Sequence, residues 1–410
     1  MKKGWQTKKL GDVCATIQDG AHESPQKQFD SPGEGRFLYI TSKNIRTNYL
    51  ELKNVSYVER DFHDRIYPRC SPRVGDVLLT KDGANTGNVA LNTIDEPFSL
   101  LSSVCLIKTN PTALNSGFLC YYLQSPDGLK SIIGQMTGAA IKRIILRDVK
   151  LATIPLPPLA EQQRIVGLLD EAFEGLATAK ANAEKNLQNA RALFESHLQS
   201  VFTQHGPGWV ETTLEEVLTV QPQNGWSPPA ANHAASGTPV LTLSSVTGFV
   251  FRPDKLKYTS AKTDPKARYW IQNGDFLITR SNTPELVGHV AIASGIEKPT
   301  IYPDLIMRMN PKPDRALTEF LYYQLRTPVL RAEIMGRAQG ANPTMKKISN
   351  GAVKTLPIAV PSIATQQTIV ETLDALSEET QRLARLYERK LAALEALKKS
   401  LLHQAFAGDL

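Results

Sequence analysis

Cysteine is scarce in this 410-residue chain, and the four present (Cys14, Cys70, Cys105 and Cys120) all lie in its first third. None forms a C-x-x-C pair, which argues against a zinc ribbon or a disulfide framework and fits a reducing cytosol. No run approaches the roughly 20 apolar residues of a bilayer span. No apolar stretch follows Met1-Lys2-Lys3-Gly4-Trp5, so a cytoplasmic protein without a signal peptide or membrane contact is expected.

Catalytic signatures are missing too. There is no G-x-x-x-x-G-K-[ST] phosphate loop, which excludes a P-loop ATPase. Ser227-Pro228-Pro229 is followed by Ala230 instead of an aromatic, and Gln-Asn-Gly-Trp precedes it where an adenine methyltransferase needs an apolar strand. Pro253-Asp254 and Pro303-Asp304 lack the downstream Glu-x-Lys of a nuclease centre. The histidines sit singly, without metal-ligand spacing. These absences describe a chain that recognises without reacting, with no cofactor or metal of its own.

What is present begins with charge. The net charge is +7, and it is unevenly placed. Residues 1–157 carry 20 Lys/Arg against 15 Asp/Glu, and residues 205–360 carry 17 against 12. Residues 158–204 (4 against 6) and 361–410 (6 against 7) are slightly acidic. A polyanion would therefore be met by the first pair of segments and not by the second.

Those segments are two copies of one plan, offset by close to 204 residues. Gly75-Asp76-Val77-Leu78-Leu79-Thr80-Lys81 answers Gly274-Asp275-Phe276-Leu277-Ile278-Thr279-Arg280, and Gly87–Leu91 answers Gly288–Ile292. FLCYYLQSP from Phe118 answers FLYYQLRTP from Phe320, and IPLPPLAEQQRIV from Ile154 answers IAVPSIATQQTIV from Ile358. Short apolar runs such as Phe37–Ile40 and Val77–Thr80, punctuated by Gly, Pro, Asn and Asp, predict β-rich domains over 1–157 and 205–360. Short helices are expected at Leu114–Gln124 and Leu317–Leu325.

The intervening stretches predict long helices. Ile369, Leu373, Leu376, Thr380, Leu383, Tyr387, Lys390, Leu394, Leu397, Leu401 and Gln404 alternate spacings of four and three, a coiled-coil seam. Ile165, Leu169, Ala172, Leu176, Ala179, Ala183, Leu187, Ala190, Phe194, His197 and Val201 follow the same rule with one extra four, a stutter. An antiparallel pairing of the two seams lets a domain be threaded between them; a homodimeric coil is the competing arrangement. The fold class expected is α+β, with two β-rich domains alternating with the helical segments 158–204 and 361–410.

Two β-rich domains, each followed by a proline-rich turn and a long helix, resemble the specificity subunits of Type I restriction-modification systems. The resemblance rests on Ile154–Val166, its weaker copy Ile358–Val370 and the paired Gly-Asp strands, and it runs through the whole chain. It implies two target recognition domains, each reading one half-site of a bipartite double-stranded DNA target, with the helices as conserved regions. It also implies that chemistry belongs to partners. Two modification subunits would use S-adenosylmethionine to methylate adenine N6, and restriction subunits would use ATP and Mg for translocation and cleavage. A helix of roughly 45 residues spans about 65 Å, enough to separate two reading heads by the ~34 Å of one DNA turn. On this view the helices act as a ruler for the spacer and dock the modification subunits. The recognition subunit of another restriction class and a protein-only coiled-coil scaffold are the rival readings.

Candidate DNA contacts lie where the two copies diverge after matching strands. Lys81, Asn85 and Thr86 follow the first strand; Arg280, Ser281, Asn282 and Thr283 follow the second. Lysine and arginine suit guanine edges or phosphates, and asparagine suits adenine. A second cluster holds Lys142 and Arg143, matched by Asn342, Lys346 and Lys347. Ser42, Lys43, Asn44, His22 and Trp226 complete the set, Trp226 as a stacking residue.

Overall fold

The computed structural model of the chain describes residues 4–133, 143–342 and 344–410. Its contacts divide it into two compact units, residues 1–184 with 388–410, and residues 185–387. Each unit takes one globular domain and part of each long helix.

The repeated strands Val77–Thr80 and Phe276–Thr279 are buried at every position, which accounts for their unbroken apolar runs. In the first unit the antiparallel sheet runs Cys14–Asp19, Val104–Thr109, Val77–Thr80, Val89–Leu91. The second unit repeats that order with Leu218–Asn224, Ile306–Pro311, Phe276–Thr279 and Val290–Ile292. A second sheet packs beside each. It has three strands in the first unit (Ser56–Glu59, Arg36–Ile40, Ser99–Leu100) and five in the second. A two-stranded ribbon ties each domain's start to its end, Gln6–Lys9 to Thr153–Leu156 and Val210–Thr213 to Pro357–Val360. The short helices form at Ser116–Gln124 and Thr318–Gln324.

The repeated Asp of each Gly-Asp pair braces its sheet. Asp76 accepts from the Arg73 N–H at 2.7 Å and meets Lys108 Nζ at 2.5 Å. Asp275 accepts from the Gln272 N–H at 2.8 Å and from Asn310 Nδ2 at 2.8 Å, with Arg308 at 3.3 Å. Asp19-Gly20 in the first unit and Asn224-Gly225 in the second occupy matching places for an equally local reason. A Cβ on Gly20 would lie 2.3 Å from the Leu100 carbonyl oxygen, and one on Gly225 would lie 1.9 Å from that of Tyr302, so only glycine allows the backbones this close.

The long helices span Leu159–Thr203 and Ile363–Ala407, and they pack together antiparallel. In the first unit Ile165 and Leu169, near the start of one, share a core with Leu402, Ala405 and Phe406, near the end of the other. In the second unit Phe194, Leu198 and Phe202 share a core with Val370 and Leu373. Phe406 meets the domain edge-on, 5.1 Å from Phe118 and 5.2 Å from Tyr122, and truncating such a buried ring costs about 3–5 kcal/mol.

The seam expected on the first helix faces inward throughout, while that on the second does not. Lys390 and Leu397 are exposed, and Leu391 and Lys398 turn inward in their place. A straight α-helix drifts about 20° per heptad against a strict seven-residue repeat, so the inward face moves on by one position. Lys398 is tolerated there because its amine lies 5.2 Å from the Phe173 ring centroid.

The first glutamine of the QQ pair in each proline-turn motif is a pin between helix and domain. The Asn115 N–H donates to Gln162 Oε1 at 2.8 Å, and Gln162 Nε2 donates to the carbonyls of Ala113 and Pro157. Gln366 makes the same three bonds to Leu317, Arg315 and Pro361. Both side chains are fully buried, so each helix start is locked to its domain. Matched tyrosines reinforce this, Tyr121 donating to Asp170 and Tyr323 to Asp374.

Candidate nucleic-acid interface

The two clusters separated in sequence meet in space in both units. In the first, the loop after Thr80 pairs with the chain entering Ile144: Asp82 bridges Arg143, and the Ile144 N–H donates to the Lys81 carbonyl at 3.0 Å. In the second, Ser281 and Asn282 pair with Lys347 and Lys346 as a short antiparallel ribbon. The Ile348 N–H donates to the Arg280 carbonyl at 2.9 Å, repeating the first bond at the matched position. Each domain therefore ends its buried strand in one composite surface.

A third segment joins each surface, the turn that follows Ile40 or Leu241. Asn85 Nδ2 donates to the Ser42 carbonyl at 3.3 Å in the first unit. Asn282 Nδ2 donates to Thr247 Oγ1 at 3.2 Å in the second, and Asn282 Oδ1 accepts from the Thr283 N–H at 2.9 Å. A carboxamide has two donor hydrogens and two acceptor lone pairs, so Asn282 keeps one of each. That remaining pair is the pattern that adenine's major-groove edge accepts.

Not every expected contact residue faces out. Lys81 is 2% exposed, its amine 2.8 Å from Asp19 Oδ1, because the strand end turns it beneath the loop. Asn44 is buried and caps its own turn, accepting from the Thr41 N–H at 3.0 Å and donating to the Glu51 carbonyl; Ser245 caps Thr242 in the same way. Ser281 is buried in the ribbon with Lys347. These three support the surface from within instead of presenting a side chain to it.

The others lie at or near the surface. Arg143 is exposed and held 3.1 Å from Asp82 Oδ1. His22 is exposed, 3.7 Å from Asp19. Lys43 is exposed and donates to Ser56, Ser42 is half-buried, and Thr86 donates to the Gly83 carbonyl at 2.7 Å. Lys347 and Asn342 are exposed, while Lys346 is half-buried and donates to the Gly340 carbonyl at 2.8 Å. Asn342 shapes its own turn by accepting from Thr344. Arg280 leans on Asp304, 3.8 Å away, and Thr283 is half-buried. Trp226 is half-buried and stacks on Tyr269 at 5.1 Å, so one face is already taken. Lys142 lies outside the described residues.

Sequence reading missed Asp82, Thr247 and Asp304, which hold Arg143, Asn282 and Arg280 in place. The turn containing Thr247 could have been found by extending the repeat match through the capped Thr41/Thr242 turns. Burial next to Arg331 holds His289 well below the usual histidine range, at about 4, so its neutral Nδ1 accepts from the Gly248 N–H at 2.9 Å. Among the described residues no group of His, Cys, Asp or Glu could hold a metal ion, and no helix is long and apolar enough to cross a membrane.

Two copies of one scaffold, alike in their strands and unlike in their surface loops, define a tandem recognition protein built on paired helices. A family model, Type I restriction modification DNA specificity domain, matches residues 2–187 and 207–389, and the chain belongs to that family as a Type I specificity subunit. It is 26% identical to the Type I restriction enzyme EcoKI specificity subunit of Escherichia coli K12, covering 100% of this chain and 90% of that one. It is 21% identical to the MjaVIII specificity subunit of Methanocaldococcus jannaschii, over 99% of this chain and 93% of the other. The fold matches a chain from a type I R-M system structure (TM-score 0.77, 21% identity, 100% and 99% of the two chains). It also matches the HsdS subunit of Thermoanaerobacter tengcongensis (TM-score 0.63, 21% identity, 100% and 98%).

Proposed function

We propose that each globular domain reads one half-site of a bipartite double-stranded DNA target and that the chain directs chemistry performed by its partners. The observation carrying this is the composite surface itself. At one matched place the first domain presents Arg143 with Asp82 and Asn85, and the second presents Asn282 with Lys346 and Lys347. Matching four-stranded sheets that present unlike donors and acceptors are what two different half-sites require.

Two modification subunits carrying S-adenosylmethionine methylate adenine N6 within the target, and ATP- and Mg-dependent restriction subunits translocate and cleave. The chain itself contributes recognition and no catalysis, and acts in the cytoplasm. Leu168, Leu193, Leu386 and Leu397 are 42%, 52%, 43% and 46% exposed on the long helices, supporting these as the dock for the modification subunits. Genome-wide adenine methylation, in cells expressing the chain with and without its modification subunit, tests the reading. A bipartite adenine motif present only with both supports it; a motif from the chain alone would overturn it, and no motif with both would refute it.

A further inference from the structure

The turn that supports each reading surface carries a residue with left-handed backbone. Among the described non-glycine residues only Asn48 (φ 72°), Ser71 (φ 41°) and Phe249 (φ 61°) have positive φ. Asn48 and Phe249 occupy the same place, four residues after the capping residues Asn44 and Ser245. Asparagine adopts this conformation readily, whereas phenylalanine does so only when its surroundings compel it.

Both are gripped from matched sequence positions, Gln124 at the end of its short domain helix and Arg326 in the turn just after Thr318–Gln324. In the first unit Gln124 Nε2 donates to Asn48 Oδ1. In the second, the matched residue is Arg326, whose guanidinium carbon lies 5.2 Å from the Phe249 ring centroid. Arg326 also donates to the Tyr322 hydroxyl at 2.9 Å, and that hydroxyl donates to the Phe249 carbonyl at 2.7 Å. The turn is held on its other side by a second matched pair: Asn88 Nδ2 donates to the Ile45 carbonyl, and the Gly248 N–H donates to His289 Nδ1. The same grip is thus made by different chemistry in the two copies, a carboxamide pair in one and a cation over a ring in the other. The second turn also carries Thr247, the acceptor that orients Asn282.

From this geometry we infer that Phe249 and Arg326 form a latch that positions Asn282 for base reading in the second half-site, and that Asn48 and Gln124 form its counterpart in the first. They are positioning residues, acting through Thr247 and not by touching DNA. The inference rests on the reading of these domains as DNA-recognition heads. Arg326 also contacts Phe194 and Glu195 on the long helix, at 5.3 and 3.9 Å, so the latch fixes the turn to the same element that anchors the domain.

The test is enrichment of motifs from a random-sequence duplex pool by the full chain in complex with its modification subunits. Phe249→Asn is the chosen perturbation, because asparagine suits the left-handed backbone and so offsets part of the packing lost with the ring, which stacks on His289 at 4.1 Å; a cooperative thermal melt of the variant shows that it folds. Base preference at one or more positions of the second half-site should fall at least tenfold, with the first half-site and the salt dependence of binding unaltered. Adding Arg326→Gln transplants the carboxamide latch and should restore that preference. Unchanged second-half preference in Phe249→Asn, or loss in both half-sites together, overturns the latch. A wild-type complex that enriches no motif removes the DNA-reading assignment, and the inference with it.

Discussion

Replacing Lys81 with methionine separates a buried structural lysine from a DNA contact. The amine lies 2.8 Å from Asp19 Oδ1, and the side chains are 2% and 8% exposed. Methionine keeps most of the stem, so little cavity opens. The Asp19 carboxylate, however, is left buried without its counter-charge. Removing one partner of a buried pair costs about 3–5 kcal/mol, a large part of a typical domain stability of about 5–15 kcal/mol. Amide hydrogen exchange of the full chain reads this locally. Peptides covering Val77–Thr80 and Val104–Thr109 should lose protection by roughly a hundredfold to several thousandfold. Those covering Phe276–Thr279 and Ile306–Pro311, in the other unit, should not change. Adding Asp19→Leu should recover much of the loss, since no charge then remains buried. Unchanged protection together with a salt-dependence slope for DNA binding lowered by about 0.9 would falsify the argument, because Lys81 would then be neutralising a phosphate.

The exposed cations behave differently. Lys347→Ala should weaken binding to all sequences alike and lower the slope of log affinity against log salt by about 0.9; altered base preference would contradict this. Asn282→Ala should instead cost about 1–3 kcal/mol at one base pair of the second half-site with the slope unchanged, as measured by competition with single-base variants. For His289 the neutral ring is favoured in the folded chain, with its pKa lowered from 6.5 to about 4 by burial and then by Arg331 and Arg326, opposed by Glu285. Its contribution is therefore complete above pH 6.5 and is lost as pH falls toward 4, about 3 kcal/mol in all. Urea midpoints of the second unit should drop across that window, and His289→Asn, which copies Asn88, should flatten this part of the profile. Gln366→Leu orphans the Leu317 N–H and two carbonyls, and each such group costs about 1–3 kcal/mol. Gln367→Leu, at an exposed position, should stay within about 0.5 kcal/mol; equal effects in a thermal melt would show that the QQ motif is not a pin.

Much of this protein could be read in one dimension because it is written twice. The seam from Ile165 to Val201 faces inward because helical periodicity alone decides which residues share a stripe. The buried strands were visible as apolar runs between turn residues. Beyond Tyr387 the second seam kept Leu394, Leu401 and Gln404 on its inward side but exchanged Lys390 and Leu397 for Leu391 and Lys398, because strict heptad counting ignores helical drift. The segments singled out in the sequence do meet in space, but Lys81, Asn44 and Ser281 are buried where exposed side chains were expected. A polar residue beside a loop looks the same in sequence whether it points to water or supports a turn.

The duplication, the alternation of β-rich domains with long helices, and the stretches where the copies differ are all legible in residue order. Those properties depend on order and spacing along the chain. Folding in three dimensions is what brings Arg143 beside Asp82, and Lys346 beside Asn282, 61 and 64 positions away in the numbering. It also decided that Asn48 and Phe249 would be held by residues at matched sequence positions, Gln124 and Arg326. Such pairings depend on the path the backbone takes between strands, and on burial, which sets whether a charged side chain meets solvent or a buried partner such as Asp19.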